Sequence, residues 1–298
     1  MIYKEIYNFC KVRNNGTALS NGRESYPPRV IFIIDLLKKY NIDFEIDSFE
    51  FQNNILYNIY LLGTNDKWIM AHHDVCNHRI DNANDNSASV INAIALKILR
   101  PNMNIALVDG EEPPCMGAGS GHFSKKVNTK ELNAEWVLNF ELTGIGGTNF
   151  FVGNYNTKIT NGIVEKFACE KFNTPFNDAS IMIENGLNST VINTCPIKKD
   201  NMVLVTKNAI KTPKKTYING DILTEIDEKY LEIFNEEIEY DIENKPILIK
   251  DGEVAKINEM NTDILDRCHI AEDHIGHIVV EDMKNFIEKI VIPICDDI

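Results

Sequence analysis

Apolar residues recur along this chain at two alternating periods, about three to four and two, and the alternation predicts its elements. Val30, Ile33, Ile34 and Leu37 recur at helical spacing behind Pro27-Pro28, which can open a helix, and Asn41 ends it. Ile42, Phe44 and Ile46 then alternate as a strand does. Two further strands are expected at Ile55 to Leu62 and Lys67 to Ala71. Val90, Ile91, Ile94, Ala95, Ile98 and Leu99 form a helical stripe, with Asn86 or Ser87 as the natural N-cap. Short buried strands follow at Asn104 to Val108 and Trp136 to Phe140. Met283, Phe286, Ile287 and Ile290 lie on one face of a closing amphipathic helix.

Strands alternating with helices across residues 30–195 predict an α/β fold: a three-layer α/β/α sandwich around a mixed, largely parallel central sheet. The stretch from about 196 to 262 differs, being rich in Lys, Asn, Asp and Glu, with a hairpin signal at Ile247-Leu-Ile-Lys around Asp251-Gly252. It reads as an insertion or subdomain within a single catalytic domain spanning 1–298. No internal repeat is visible.

Composition narrows the class. The chain is 44% hydrophobic and 25% charged, an ordinary globular balance, and its net charge of −14 disfavours nucleic acid or an anionic membrane as partner. No apolar run approaches the ~20 residues a membrane-spanning helix needs. The first residues lack a basic start followed by an apolar stretch, so no secretion signal is expected. Seven cysteines, an odd number without a pairing rhythm or a Cys-x-x-Cys, predict reduced thiols and a cytoplasmic setting. Cys76, Cys115 and Cys268 fall near the polar motifs below and read as small apolar packers.

Those motifs sit where strands end. His72, Glu112 and Glu141 each follow an apolar strand, at the carboxyl edge where open α/β sheets bind ligands. Glu111-Glu112 is an unusual pair, because two adjacent acids closing a buried strand repel unless a cation neutralises them. Glu141 repeats the choice after Val-Leu-Asn-Phe. His72-x-Asp74 sets an imidazole beside a carboxylate that can orient it. His73 should face the other way and serve packing or lie at the surface, and His78 lies in a polar loop. Asp85 opens the helix of the Val90 stripe, where an acid commonly only caps amides. His269 stands in Cys-His-Ile-Ala-Glu-Asp-His-Ile, with Asp273 four residues on and His274 and His277 close by. Two histidines and several acids after successive strands make a set suited to zinc held by nitrogen and oxygen ligands.

In that order, His72-x-Asp74, Asp85-Asn-Ser-Ala-Ser, Asp109-Gly-Glu-Glu, Asn139-Phe-Glu-Leu-Thr-Gly and His269-x-x-x-Asp273, the sequence resembles the M28 family of zinc peptidases, the dizinc aminopeptidase type. Asp178 to Gly186, followed by Leu-Asn-Ser-Thr-Val-Ile, is similar to a further family segment. The resemblance covers roughly residues 65–195 and 265–285. It implies two zinc ions bridged by Asp85, one completed by His72 and Glu141 and the other by Glu112 and His269. It implies Glu111 as general base and Asp74 as the residue holding His72. The implied activity is exopeptidase hydrolysis, first of all aminopeptidase cleavage of short peptides or small amides.

Three positions depart from the family pattern. Glu141 stands where aspartate is usual and where the related M20 peptidases and deacylases carry glutamate. The Asp178-Ala-Ser segment lacks the family's histidine, and Cys268 stands where some relatives have a tyrosine. Three alternatives therefore stay open: a single-zinc acyltransferase resembling glutaminyl cyclases, a deacylase or dipeptidase of the M20 kind, and an inactive binding protein on the same fold.

Overall fold

A computed structural model describes residues 2–12, 19–20, 23–24, 26–76, 80–148, 150–167, 169–172, 174, 176–194, 215–219, 222–226 and 273–298. His78, Cys268, His269 and the hairpin expected around Asp251-Gly252 lie outside the described residues.

After a short turn and helix α1 (Ile6–Phe9) and a two-residue pairing of β1 (Leu19–Ser20) with β2 (Arg23–Glu24), helix α2 runs Pro28–Lys39. Proline at its start costs no hydrogen bond there, and Asn41 at φ 52° turns the chain out of it. Strands β3 (Glu45–Phe51), β4 (Asn54–Leu61) and β5 (Lys67–His72) follow. β3 starts later than the Ile42-Phe44-Ile46 alternation suggests and runs on to Phe51, because its register is set by antiparallel pairing with β4 from Asn54 to Tyr60. A wide turn, Ala83–Ser87, leads into α3 (Ala88–Leu99). Then come β6 (Asn104–Val108), α4 (Ala118–Asn128), β7 (Trp136–Glu141), β8 (Phe150–Gly153), α5 (Lys158–Lys166), β9 (Glu170–Phe172), α6 (Asp178–Glu184) and β10 (Ser189–Thr194). The 196–262 region contributes one described hairpin, β11 (Lys215–Asn219) with β12 (Ile222–Ile226). Helices α7 (Val280–Asn285) and α8 (Ile292–Asp297), joined through Phe286–Val291, close the chain.

The central sheet has eight strands in the order β3-β4-β6-β5-β7-β10-β8-β9. Its middle, β6-β5-β7-β10, is parallel, and antiparallel pairings of β3, β4 and β8 flank it. The sheet is mixed, as expected.

The two faces bury separate cores. On one, Ile59, Ile69, Ile105, Leu138 and Phe140 pack against α2, α3 and the closing helix. On the other, Trp68, Met70, Val108, Val137 and Val191 pack against Phe123 of α4 and Ala179 and Met182 of α6. Helices on both sides of one sheet give the three layers. α3 is buried nearly all round, which explains why its sequence is apolar on more than one stripe. The expected closing helix is present and buries Met283, Phe286, Ile287 and Ile290.

Candidate metal centre

Three neighbouring strands, β6, β5 and β7, run parallel and end together, so whatever follows each strand gathers at one edge. His72 is the last residue of β5 and lies in register with Val108 of β6. Glu141 is the last residue of β7. Glu111 and Glu112 follow β6 through a turn at Gly110, whose φ is 73°. A Cβ at Gly110 would come within 2.8 Å of Leu56 Cδ1 and 3.0 Å of Cys115 Cβ, so this tight turn requires glycine. The turn swings the backbone amides of Glu111 and Glu112 onto the carboxylate of Asp74, at 3.2 and 3.0 Å.

Asp85 reaches the same edge from the turn before α3. Ser87 stands at the N-cap of α3, as expected, but its side chain makes no capping hydrogen bond. Asn86 instead donates to Phe140 O (2.9 Å) and accepts from Leu142 N (3.4 Å), gripping the backbone on both sides of Glu141. Ser87 Oγ accepts from buried Arg29. Tertiary partners outbid the local cap, so the Asp85-Asn86-Ser87 motif fixes three neighbours at once. Asp273 holds this turn from the far end of the chain, accepting from Asn84 N at 2.6 Å and Asp85 N at 3.1 Å.

His72 is the hub. Its Nε2 lies 3.2 Å from Asp85 Oδ1, 3.6 Å from Glu141 Oε2 and 3.9 Å from Glu111 Oε2. Its Nδ1 approaches Asp74 Oδ1 at 3.3 Å, without the alignment of a regular hydrogen bond. One ligand atom from each of His72, Asp85 and Glu112 falls within 4.8 Å of the other two. Asn139 donates to Glu141 Oε1 at 3.2 Å. His73 faces away as expected, buried, with Nε2 2.8 Å from Tyr57 O. Of the seven residues singled out from the sequence, six (His72, Asp74, Asp85, Glu111, Glu112 and Glu141) are described, and all six are buried at this edge. His269 alone lies outside the described residues.

The electrostatics of the cluster are those of a site short of positive charge. Burial pushes the Glu111 carboxyl well above the usual range, His72 partly opposes the shift, and Glu141, Asp178 and Glu112 add to it. Burial raises Glu141 in the same way. For His72, burial alone would lower the imidazole pKa. The carboxylates of Glu141 and Glu111, with Asp74 and Asp85, reverse that and hold it well above its ordinary value. Asp74 is lowered: burial works against ionisation, but His72 and the amide of Glu112 outweigh it. Buried acids whose pKa values are raised, packed around an imidazole whose own is raised, are the donor set that a divalent cation satisfies. Histidine nitrogen with carboxylate oxygens suits zinc.

One residue entered the sequence reading only as the start of a family-like segment, with no role of its own. Asp178, the first residue of α6, is fully buried, and neither of its carboxylate oxygens has a hydrogen-bond partner among the described residues. Burial raises it to about 7, with His72 opposing. An acid in the first turn of a helix ordinarily interacts with the helix dipole at the surface, so only packing reveals it. None of the five described cysteines (Cys10, Cys76, Cys115, Cys169 and Cys295) belongs to the cluster of His72, Asp85 and Glu112.

No family model matches the sequence, and no curated protein matches it. Solved structures do match. A glutaminyl cyclase from Porphyromonas gingivalis superposes with a TM-score of 0.63 at 13% identity, covering 100% of this chain and 97% of that one. A Zn-dependent exopeptidase from Parabacteroides distasonis gives 0.59 at 12% identity over 98% and 96%. The LapA aminopeptidase of Legionella pneumophila gives 0.59 at 10% over 99% and 70%. The chain therefore has the α/β fold found in zinc exopeptidases and glutaminyl cyclases. At these identities the likeness is one of fold. Among the described residues, no helix is long and apolar enough to cross a membrane.

Proposed function

We propose that this protein is a zinc-dependent hydrolase of peptide or small amide bonds, acting first of all as an aminopeptidase on short peptides. One observation carries the reading: the convergence of His72, Asp85 and Glu112 within 4.8 Å at the sheet edge, with Glu111 beside them. The fold shared with zinc exopeptidases supports it.

In this reading His72 and Glu141 would hold one zinc ion and Glu112 and His269 the other, with Asp85 serving both. Zinc held there supplies Lewis acidity toward the scissile carbonyl and makes water a nucleophile near neutral pH. Glu111 takes the proton from that water and delivers it to the leaving amine. Its buried setting, which raises its pKa, equips it to hold a proton between those two events. Asp74 keeps both glutamates in place through their amides and faces His72 Nδ1. The buried edge limits bulk water around the reacting bond.

Zinc quantification on purified protein, combined with free-amine aminoacyl and N-blocked dipeptide substrates, tests this. Bound zinc and cleavage of free-amine substrates alone are the expected result; cleavage of N-acyl substrates instead would move the assignment to a deacylase. Absence of any bound divalent metal would overturn it.

A second reading is cyclisation of an N-terminal glutamine with release of ammonia. It is supported by the fold likeness to the Porphyromonas gingivalis cyclase, at a TM-score of 0.63 over 97% of that chain. Ammonia released from a glutaminyl peptide with no chain cleavage, at one zinc per chain, would select it.

A further inference from the structure

Arg29 is a fully buried cation that none of the roles above uses. It sits in the first turn of α2 at 1% exposure, with its guanidinium 3.9 Å over the ring of Phe9. Its three nitrogens go to three different segments. Nε donates to His73 O at 2.5 Å, Nη1 to Val12 O at 2.8 Å and Nη2 to Ser87 Oγ at 2.9 Å. Two of these acceptors flank the metal cluster. His73 lies between His72 and Asp74 in sequence, and Ser87 is two residues beyond Asp85. The Nε2–Oδ1 separation of 3.2 Å between His72 and Asp85 is thus spanned from behind by one rigid, planar fork.

Such an arrangement is costly to keep. Burial drags the guanidinium down to about 10, and a buried cation is often worth less to stability than an apolar residue of the same size. A lysine could not replace it, because a single ammonium on a flexible stem lacks the fork that meets three acceptors in fixed directions. The negative charge around it includes Asp74 and Asp109, which partly restore the guanidinium.

We propose that Arg29 is a positioning residue for the metal centre: it sets the spacing between the His72 strand end and the Asp85 turn, and so tunes metal affinity and ligand geometry without touching the metal. Through Val12 O and the Phe9 ring it also ties the N-terminal segment to that spacing. The inference rests on the zinc-site reading, whether the bond broken belongs to a peptide or to a glutamine side chain. Outer partners that orient metal ligands commonly contribute about 10–100-fold to affinity.

The test uses the full chain, freed of metal and titrated with zinc against a chelator, alongside the visible absorption of the cobalt(II)-loaded protein. Arg29→Met and Arg29→Lys should each weaken zinc binding roughly 10-fold or more and shift the cobalt bands. Ser87→Ala removes one of the three bonds and leaves the guanidinium in place. It should weaken zinc binding about threefold, a value intermediate on the same scale. If Arg29→Met does not fold, Arg29→Lys and Ser87→Ala carry the test. A purely structural role would lower the melting temperature of the metal-free variants while leaving zinc affinity and the cobalt spectrum at wild-type values, and that result overturns the proposal. Wild-type protein that takes up no metal overturns the site reading and this inference together. Wild-type uptake with unmoved variants overturns the Arg29 role alone.

Discussion

Glu111 and Glu112 are adjacent in sequence and share a backbone anchor, since both amides donate to Asp74, yet their side chains face different tasks. Glu112 belongs to the compact set with His72 and Asp85, whereas Glu111 lies 3.9 Å from His72 Nε2 with its pKa pushed up by burial. Glu111→Gln should therefore cut kcat by at least about 1,000-fold while zinc content stays at wild-type level, measured by metal analysis and steady-state kinetics. Glu112→Gln should lose zinc affinity as well as rate. Equal effects on metal content from the two changes would contradict the division of roles. At this scale the acids at strand ends were legible in the sequence, because an ionised side chain closing an apolar strand conflicts with its surroundings. Arg29 and Asp178 were not. Each sits near the start of a helix, where a charge is normally solvated, and only the packing of the two helix layers buries them.

The elements explain how residues 188 positions apart, such as Asp85 and Asp273, meet with such short contacts. Strand ends provide a common edge, and turns provide the reach. Gly110 is the sharpest case. Gly110→Ala must place a methyl group against Leu56 and Cys115 at a positive φ, a change that should cost about 1–3 kcal/mol in a denaturant melt. It should also displace Glu111 and Glu112 enough to lower kcat, and a variant with unchanged stability and rate would show that the turn is permissive. In the core, Ile94→Ala in α3 should cost about 2–5 kcal/mol, since Ile94 is wholly buried in the main cluster. The periodicity revealed α2, α3, the strands from β4 to β7 and the closing helix. It did not reveal that the Asn86 and Ser87 side chains bond elsewhere than to the amides of α3, because that choice depends on Phe140, Leu142 and Arg29, all distant in sequence. Nor did alternation show where β3 begins, which pairing with β4 decides.

For the molecule as a whole, the acidic cluster makes stability depend on both protons and metal. Asp178 is raised from an ordinary carboxylate value to about 7 in the folded state. The folded state thus binds more protons than the unfolded one between roughly pH 4 and pH 7, and stability falls as pH rises through that window. Glu111 and Glu141 are shifted the same way. His72 is raised as well, so its contribution is present below its unfolded pKa and is lost as pH climbs past its folded one. Metal-free protein should accordingly melt at a lower temperature at pH 8 than at pH 5, and Asp178→Asn should reduce the difference. Zinc should reverse the trend, because deprotonated ligands bind it more tightly.

Zinc binding through Asp85, whose backbone amide Asp273 fixes at this edge, is the central claim. Metal-free wild-type protein and Asp85→Ala, titrated with zinc near pH 7.5 under chelator competition, test it most directly. The prediction is saturable wild-type binding at a whole-number stoichiometry, weakened at least about 100-fold in the variant. Wild-type protein that binds no zinc, or an Asp85→Ala variant that binds it equally well, would contradict it.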